Sequence, residues 1–236
     1  MSAMAKIKHL IQRITSSPIR ATSRDHGKES EELSYWNGRK QVEGVLANKH
    51  YKYFYTTHFG LDDFFYSNKT ILDIGCGPRG SLEWASTALR RVGLDPLAKE
   101  YLRLGADKHQ MEYIASPSEN IPLKDAECDV VASFNSLDHV ESIERSLAEI
   151  KRVTRAGGLF LLIVEVNHPP TSCEPHQLSP EKLIEALAPE LVCETFQTYK
   201  IMPGGMYDSI YANEKRPSSE RDKNGYLSVR FTRVAV

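Results

Sequence analysis

The chain has 236 residues, of which 41% are hydrophobic and 26% charged, and its formal net charge is −1. This length and composition predict one α/β domain with a substantial core. A nearly neutral chain has no overall field that attracts a polyanion, so a small-molecule partner is expected rather than a nucleic acid. The four cysteines are widely spaced, which predicts free thiols in a reducing, cytoplasmic compartment, with no disulfide or zinc site.

The first residues predict a short basic amphipathic segment. Lysines and arginines precede the first acid, and four apolar residues share one helical face: Ile7, Leu10, Ile11 and Ile14. The pattern fits a helix that docks on its own domain or on a partner, a transit peptide, or membrane-surface contact through residues 6–14. The polar stretch from Ser16 to Glu32 reads as a linker, which completes a unit of residues 1–32. No apolar run approaches the ~18 residues of a membrane-spanning helix.

Residues 33–66 are rich in aromatic side chains and predict short helices. Such a segment either forms a lid whose rings line an acceptor pocket or packs its helices onto the sheet. Packing is expected to account for most of these rings, with one or two facing a ligand.

Residues 67–236 are predicted to form the main domain, in which strands and helices alternate. Five buried parallel strands are expected at Thr70–Gly75, Arg91–Asp95, Met111–Ser116, Asp129–Asn135 and Leu159–Val166. Helices are expected at Glu141–Thr154 and near Pro180–Leu187, and later strands at Leu191–Tyr199 and Tyr226–Val234. A long loop joins these last two strands.

The first strand runs directly into a glycine-rich bend, Gly75 to Gly80. Glycines let the backbone turn sharply and approach a ligand closely, and a helix beginning near Ser81 would point its positive end into the same space. The bend therefore predicts a nucleotide-like ligand. Gly75, Gly77 and Gly80 also fit the dinucleotide pattern. However, Pro78 removes a backbone donor that a pyrophosphate needs, and Asp73 adds a carboxylate that favours a cationic ligand such as S-adenosylmethionine.

The segment Arg91–Pro96 predicts a second strand that ends in an acid, Asp95. An acid at this distance from the glycine bend is placed to accept hydrogen bonds from the two hydroxyls of a ribose. Asp95 could equally open the helix that follows Pro96, and the two roles are compatible.

With LDIGCGPRG as glycine motif and VGLDP as ribose motif, the chain resembles the class I S-adenosylmethionine-dependent methyltransferases, especially their small-molecule branch. The similarity continues through residues 117–123, 128–140 and 153–160. It implies a Rossmann-like, doubly wound α/β sheet, mostly parallel and closed by an antiparallel strand pair, with helices on both faces. It also implies cofactor contacts from Asp73, Gly75, Cys76, Gly77, Gly80, Asp95, Ser118, Glu119 and Asn135. Where the family often has an acid for the adenine amine this chain has Pro117, so Ser116, Ser118, Glu119 or a backbone group takes that role.

Methyl transfer needs a base only for some acceptors, and the expected acceptor is a hydroxyl of a small molecule, a sugar or a lipid. His139, after the fourth strand, is the first candidate base because imidazole titrates near neutral pH. The alternative is that His139 only braces its loop. His168 and His176, after the fifth strand, are second candidates. No metal site is expected, since these histidines, Asp138 and Glu165 show no tight ligand spacing.

Other functions remain open from the sequence. They are N- or C-methyl transfer, a scaffold that binds S-adenosylmethionine without turnover, and an NAD-dependent oxidoreductase. Pro78 and the closing strand pair argue against the last.

Overall fold

A computed structural model describes residues 24–235, which form a seven-stranded sheet in the order β3-β2-β1-β4-β5-β7-β6. The strands β1 to β5 pair in parallel, whereas β7 runs antiparallel to both β5 and β6. Their bounds are β1 Thr70–Ile74, β2 Arg90–Leu94, β3 Glu112–Ile114, β4 Cys128–Phe134, β5 Thr154–Val166, β6 Leu191–Tyr199 and β7 Gly225–Arg233. The predicted doubly wound sheet and its closing antiparallel pair are confirmed.

The α-helices lie at α1 Arg24–Glu43, α2 Tyr51–Tyr55, α3 Ala98–Arg103, α4 Ile143–Val153, α5 Pro180–Leu187 and α6 Met206–Tyr211. Short 3-10 turns lie at Thr57–Phe59, Phe64–Tyr66, Ala106–Lys108, Leu137–His139 and Ser218–Glu220. Two of the helices begin at serine caps, because the Ser142 and Ser179 hydroxyls accept backbone N–H groups of the first turn. No helix within residues 24–235 is long and apolar enough to cross a membrane.

Alternation along the central strands builds a core on each face of the sheet. In β5, Leu162 and Val164 face one core with α4 and α5, whereas Leu161 and Ile163 face the other. The second core contains most of the aromatic segment, with Phe54 fully buried. Successive side chains of a strand point to opposite faces, so a strand buried on both sides reads as a continuous apolar run. The predicted helices on both faces are confirmed.

The helix predicted near Ser81 is wrong. Residues 81–89 form successive turns, in which the Glu83 N–H bonds to the Gly80 carbonyl at 3.1 Å. The segment buries Leu82 and Ala85 and runs directly into β2. It is therefore too short to form a helix and then return to the sheet. Among residues 24–235, the segment after the glycine bend therefore offers no helix N-terminus to a ligand, and nearby side chains are the charged groups of the bend.

The polar linker predicted up to Glu32 also differs from the structure, since α1 begins at Arg24. Residues 28–33 are lysine, glutamates, serine and leucine, which tolerate a helix well, and α1 is held by contacts along its length. The predicted boundary between residues 32 and 33 falls inside α1. The division of the chain into an N-terminal unit, a lid and a main domain otherwise stays a prediction, and residues 6–14 lie outside the described residues.

The strand order reverses between β1 and β4, and ligands of open α/β sheets bind at such a switch point. The loops after the two strands meet there. A Cβ atom added at Gly75 would stand 2.2 Å from the Ser136 Cβ, and Gly75 has a φ of +71°. Only glycine fits this position.

Replacing Gly75 by alanine should therefore destabilise the fold more than replacing Gly157 by alanine. Gly157 has a similar φ of +72°, but a Cβ there meets nothing within 4 Å. Both variants carry the cost of a left-handed alanine, ~1–2 kcal/mol. Gly75→Ala adds the overlap with Ser136, which we expect to cost ~1–3 kcal/mol more. Urea unfolding measures the free energy of unfolding of each variant, and an equal decrease in the two variants would refute the close contact.

Candidate active site

The glycine bend is closed over by side chains from three other parts of the chain. Gly75, Gly77 and Gly80 all have positive φ values, of +71°, +56° and +73°. At the place where a Cβ would stand, Gly75 meets Ser136, Gly77 meets Trp36 of α1, and Gly80 meets His109. The bend is therefore a surface of bare backbone, covered at each glycine by a different side chain.

Two buried acids flank this bend. Asp73, at 3% exposure, accepts a hydrogen bond from the Ser81 hydroxyl. Asp95, at 5% exposure, accepts from the Leu97 N–H at 2.9 Å and from the Gly77 N–H at 3.3 Å. Neither carboxylate forms an ion pair with a lysine, arginine or histidine among residues 27–235. The site therefore holds two buried carboxyls that no described cationic side chain pairs with.

Burial raises the pKa of both acids. The pKa of Asp73 rises to about 7 because the carboxyl is fully enclosed, against the opposing effect of the Ser81 hydrogen bond. The pKa of Asp95 also rises to about 7, through burial and then the nearby negative charge of Glu32. The bond from Leu97 agrees with the predicted turn role of Asp95, and the ribose role stays a prediction.

Tyrosines lie near Asp73. Tyr51 and Tyr55 of α2 and Tyr207 of α6 have pKa values raised by burial and, further, by negative charge that includes Asp73. Their hydroxyls thus stay protonated and remain donors. The buried Tyr55 hydroxyl has no hydrogen-bond partner of good geometry within the described chain. The aromatic segment therefore contributes two tyrosines to the neighbourhood of the bend.

The end of α1 is fastened to the bend by Arg79. Its guanidinium forms two hydrogen bonds to the Glu43 carboxylate, at 2.7 and 2.9 Å, and lies 5.3 Å from the centre of the Trp36 ring. The hydrogen bond from Arg79 lowers the pKa of Glu43 to about 2, so this ion pair persists over the whole physiological range. Trp36 is thereby held against Gly77.

Closer to its beginning, α1 contacts two separate segments at the carboxyl edge of the sheet. The Tyr101 hydroxyl donates to the Glu32 carboxylate at 2.7 Å, beside Asp95. Nearer its start, the Lys28 ammonium donates to the His139 carbonyl. The helix thus lies across the carboxyl edge of the sheet, from β2 to the loop after β4.

Three of the predicted cofactor residues have other partners. Ser118 shares a 2.8 Å hydrogen bond with Ser146 of α4, and the Glu119 carboxylate accepts the backbone N–H groups of Glu141 and Ser142. These bonds brace the start of α4. The Cys76 side chain is buried against Gly93 of β2, which makes it a packing residue whose backbone alone faces the bend. The predicted adenine contacts of Ser118 and Glu119 stay a prediction.

Asn135 has the left-handed φ of +56° and an exposed side chain. Its N–H bonds to the Ile163 carbonyl of β5 at 2.7 Å, which fixes the loop after β4 while leaving the amide side chain at the edge. This arrangement is compatible with its predicted role, which stays a prediction.

The three candidate histidines separate into a pair and an outlier. The His139 Nε2 lies 3.8 Å from the Glu174 Oε1, and the His168 Nδ1 lies 4.0 Å from the Glu174 Oε2. By contrast, the His176 Nε2 is hydrogen-bonded to the Val140 carbonyl at 2.7 Å, in a cavity of about 520 Å³ between α4 and α5. Of the three candidates, His139 and His168 approach the same carboxylate, whereas His176 bonds to the backbone at Val140, and its catalytic role stays a prediction.

Several residues at this edge were not predicted from sequence, namely Trp36, Glu32, Ser136, His109 and Glu174. Their contacts join segments far apart in sequence, so no local spacing marks them. Ser136 and Glu174 had one signal, since both lie in loops that follow predicted strands.

Comparison with known proteins gives a consistent picture. Residues 72–162 match a family model described as a methyltransferase domain. A malonyl-[acyl-carrier protein] O-methyltransferase of Pectobacterium atrosepticum is 32% identical over 96 residues, which are 40% of this chain and 38% of that protein. The chain thus aligns with about two fifths of the length of the curated relatives it matches.

Two solved structures show the same fold at low sequence identity. The 1,6-didemethyltoxoflavin-N1-methyltransferase of Burkholderia thailandensis, with bound S-adenosylhomocysteine, has a TM-score of 0.60 and 16% identity over 94% of both chains. An S-adenosylmethionine-dependent methyltransferase of Mesorhizobium loti has a TM-score of 0.56 and 19% identity, covering 71% of this chain and 92% of that one.

The raised pKa of Asp95 predicts a pH-dependent stability. Below pH ~4 the carboxyl is neutral in both the folded and the unfolded chain. Above that pH the unfolded carboxyl ionises first, so the free energy of unfolding falls as the pH rises, until the folded carboxyl also ionises at about 7. Asp95→Asn, which resembles the protonated acid, should lessen the fall in thermal stability between pH 5 and 8 by ~1–4 kcal/mol.

Thermal unfolding without added ligand at pH 5, 6.5 and 8 measures this effect. Asp107→Asn is the matched control, because Asp107 is exposed in the 3-10 turn Ala106–Lys108. A pH profile of Asp95→Asn identical to that of the unsubstituted chain would show that Asp95 titrates normally.

Proposed function

We propose that this chain, which belongs to the class I S-adenosylmethionine-dependent methyltransferase family, transfers a methyl group from S-adenosylmethionine to a small-molecule acceptor. One observation carries this proposal: the glycine bend at the switch point lies between two buried acids, Asp73 and Asp95, that lack a cationic partner among the described residues. S-adenosylmethionine offers an ammonium, a sulfonium and two ribose hydroxyls, which supply positive charge and hydrogen-bond donors.

The residues of the bend fit such a ligand. Asp95 stands at the end of β2, where it would accept the ribose hydroxyls, and the bare backbone of Gly75 and Gly77 allows close approach of the amino-acid end. Asp73 lies beneath this end and would favour its ammonium. Since Trp36 rests on Gly77, entry requires α1 to shift, and α1 then serves as a lid.

When bound, the cofactor supplies a methyl carbon activated by its sulfonium. The chain then needs to hold the acceptor oxygen in line with the sulfur–carbon bond and to exclude water. The new oxygen–carbon bond forms as the sulfur–carbon bond breaks, and the hydroxyl proton passes to a base. His139 is proposed to take it, because its ring is one-third exposed at the sheet edge and lies near Glu174, which would stabilise the imidazolium.

A small hydroxyl acceptor agrees with the surroundings of the bend. The tyrosines Tyr51, Tyr55 and Tyr207 make its far side aromatic, which suits an apolar molecule better than a polyanion. A relative with 32% identity is named as an O-methyltransferase, which supports an oxygen acceptor. A nitrogen or carbon acceptor and a non-catalytic scaffold are the alternatives.

Cofactor binding tests the first step. At pH 8, where Asp95 is ionised, calorimetry should detect binding of S-adenosylmethionine and S-adenosylhomocysteine but not of NAD. Asp95→Ala should weaken the affinity by ~1.5–3 kcal/mol, because a charged acceptor of the ribose hydroxyls is lost. The exposed Asp107→Ala should bind as the unsubstituted chain does. Binding of NAD alone would overturn the proposed function.

The role of His139 is tested by turnover with a hydroxyl acceptor found in a product screen with labelled cofactor. His139→Ala should lower turnover ~10²–10⁴-fold, the usual contribution of general-base help, with cofactor affinity nearly unchanged. His176→Ala is the control, because the His176 Nε2 bonds to the Val140 carbonyl and not to Glu174. If His139→Ala kept the turnover of the unsubstituted chain, His139 would be excluded as the base.

A further inference from the structure

A cluster of potential metal ligands lies at the carboxyl edge of the sheet. Asp138 and His139 belong to the 3-10 turn after β4, and Glu174 belongs to the loop after β5. One ligand atom from each of the three lies within 4.8 Å of the other two. The His139 Nε2 is 3.8 Å from the Asp138 Oδ1 and 3.8 Å from the Glu174 Oε1. Two loops that are distant in sequence thus bring three ligands together.

The Asp138 carboxylate gives independent evidence that this cluster binds a ligand. Its side chain is 1% exposed, and neither of its oxygens has a hydrogen-bond partner in the described chain. A buried carboxylate without donors is costly, and proteins normally supply donors or a cation. Within the described residues, Asp138 forms no ion pair with a lysine or arginine, and its ion-pair partner is the His139 ring at 3.8 Å.

His168 stands beside the cluster. Its Nδ1 lies 2.9 Å from the Pro169 carbonyl, an arrangement in which Nδ1 carries the proton and donates. The Nε2 is then an acceptor, and this buried atom has no partner within the described residues. His168 is not one of the three clustered ligands, and its Nδ1 lies 4.0 Å from the Glu174 Oε2.

We propose that Asp138, His139 and Glu174 bind one divalent first-row transition-metal ion. Two carboxylates and a neutral imidazole balance the charge of such an ion, and an imidazole beside carboxylates suits manganese, iron, cobalt or zinc better than calcium. Metal bonds of ~2.0–2.2 Å place neighbouring ligands ~3–3.5 Å apart, so the observed 3.8 Å separations need only small side-chain shifts. The partly exposed His139 gives the ion a path from solvent.

This ion site bears on the proposed methyl transfer without depending on it. An ion held by the His139 Nε2 would prevent that atom from taking a proton. It would also lower the pKa of an acceptor hydroxyl bound to the ion, whose proton would then pass to solvent water. The ion would therefore replace the base role of His139 rather than add to it. The imidazole is needed for turnover as a base and as a metal ligand, so a measurement of metal binding is what distinguishes the two roles.

The test uses the full chain treated with a chelator and titrated with Mn²⁺ alone, with free Mn²⁺ followed by electron paramagnetic resonance. We expect one saturable ion per chain. Glu174→Gln and His139→Ala should each weaken binding at least ~10-fold. Glu141→Gln is the matched control, because Glu141 lies close in sequence but its side chain is 71% exposed and outside the cluster. No saturation up to ~1 mM Mn²⁺, or equal affinity in Glu174→Gln and Glu141→Gln, would overturn the proposal.

Thermal unfolding with and without Mn²⁺ distinguishes the loss of a metal ligand from a folding defect. Mn²⁺ should raise the melting temperature of the unsubstituted chain, since a ligand that binds only the folded state stabilises it. Asp138→Asn removes the buried charge, so it should unfold no earlier than the unsubstituted chain without metal, and it should lose the metal-induced rise. A rise equal to that of the unsubstituted chain would exclude Asp138 as a ligand.

Calorimetry with S-adenosylmethionine on the same chelated protein separates this inference from the proposed function. Cofactor binding without Mn²⁺ binding would refute the ion site alone. Mn²⁺ binding without cofactor binding would refute the methyltransferase proposal and support the ion site.

Discussion

The close approach of Gly75 to Ser136 is the contact on which the site depends. It exists because β1 and β4 pair in parallel, so that their carboxyl ends, and the loops that leave them, meet at one edge. The Ser136 hydroxyl donates to the Ile74 carbonyl at 2.8 Å, which locks the two loops together. Everything that follows Ser136, including His139, is positioned from this point. A side chain at residue 75 would push the two loops apart.

The electrostatics of the edge follow from the same packing. Asp73 and Asp95 end neighbouring strands, and Asp138 follows the third, so parallel pairing gathers three buried carboxyls at one side of the sheet. Arg79, at this edge, bonds to Glu43, whereas Arg90 lies at the opposite end of β2 and bonds to Glu112 and Glu127. The three acids at the carboxyl edge therefore have no arginine partner among the described residues.

The sequence predicted the sheet well because its strands are short apolar runs ended by glycine or acid. The same periodicity identified α4 and α5, and the glycine motif located the bend. The helix near Ser81 was wrong because the motif usually precedes one, whereas the nine residues of 81–89 must bury Leu82 and reach β2. The site was harder to predict. The contacts of Trp36 with Gly77 and of His139 with Glu174 arise only when loops distant in sequence meet.

The two ends of α1 are held with unequal strength. Its last turn is fixed by the two-pronged bond of Arg79 to Glu43, which is largely shielded from water, whereas near its start Lys28 and the exposed Glu31 make single contacts with the His139 and Cys173 loops. The weaker attachment of α1 therefore lies at its beginning, beside His139, and the stronger one lies beside the glycine bend. For the proposed methyl transfer, this difference favours access to the His139 side of the edge over access to the glycine bend.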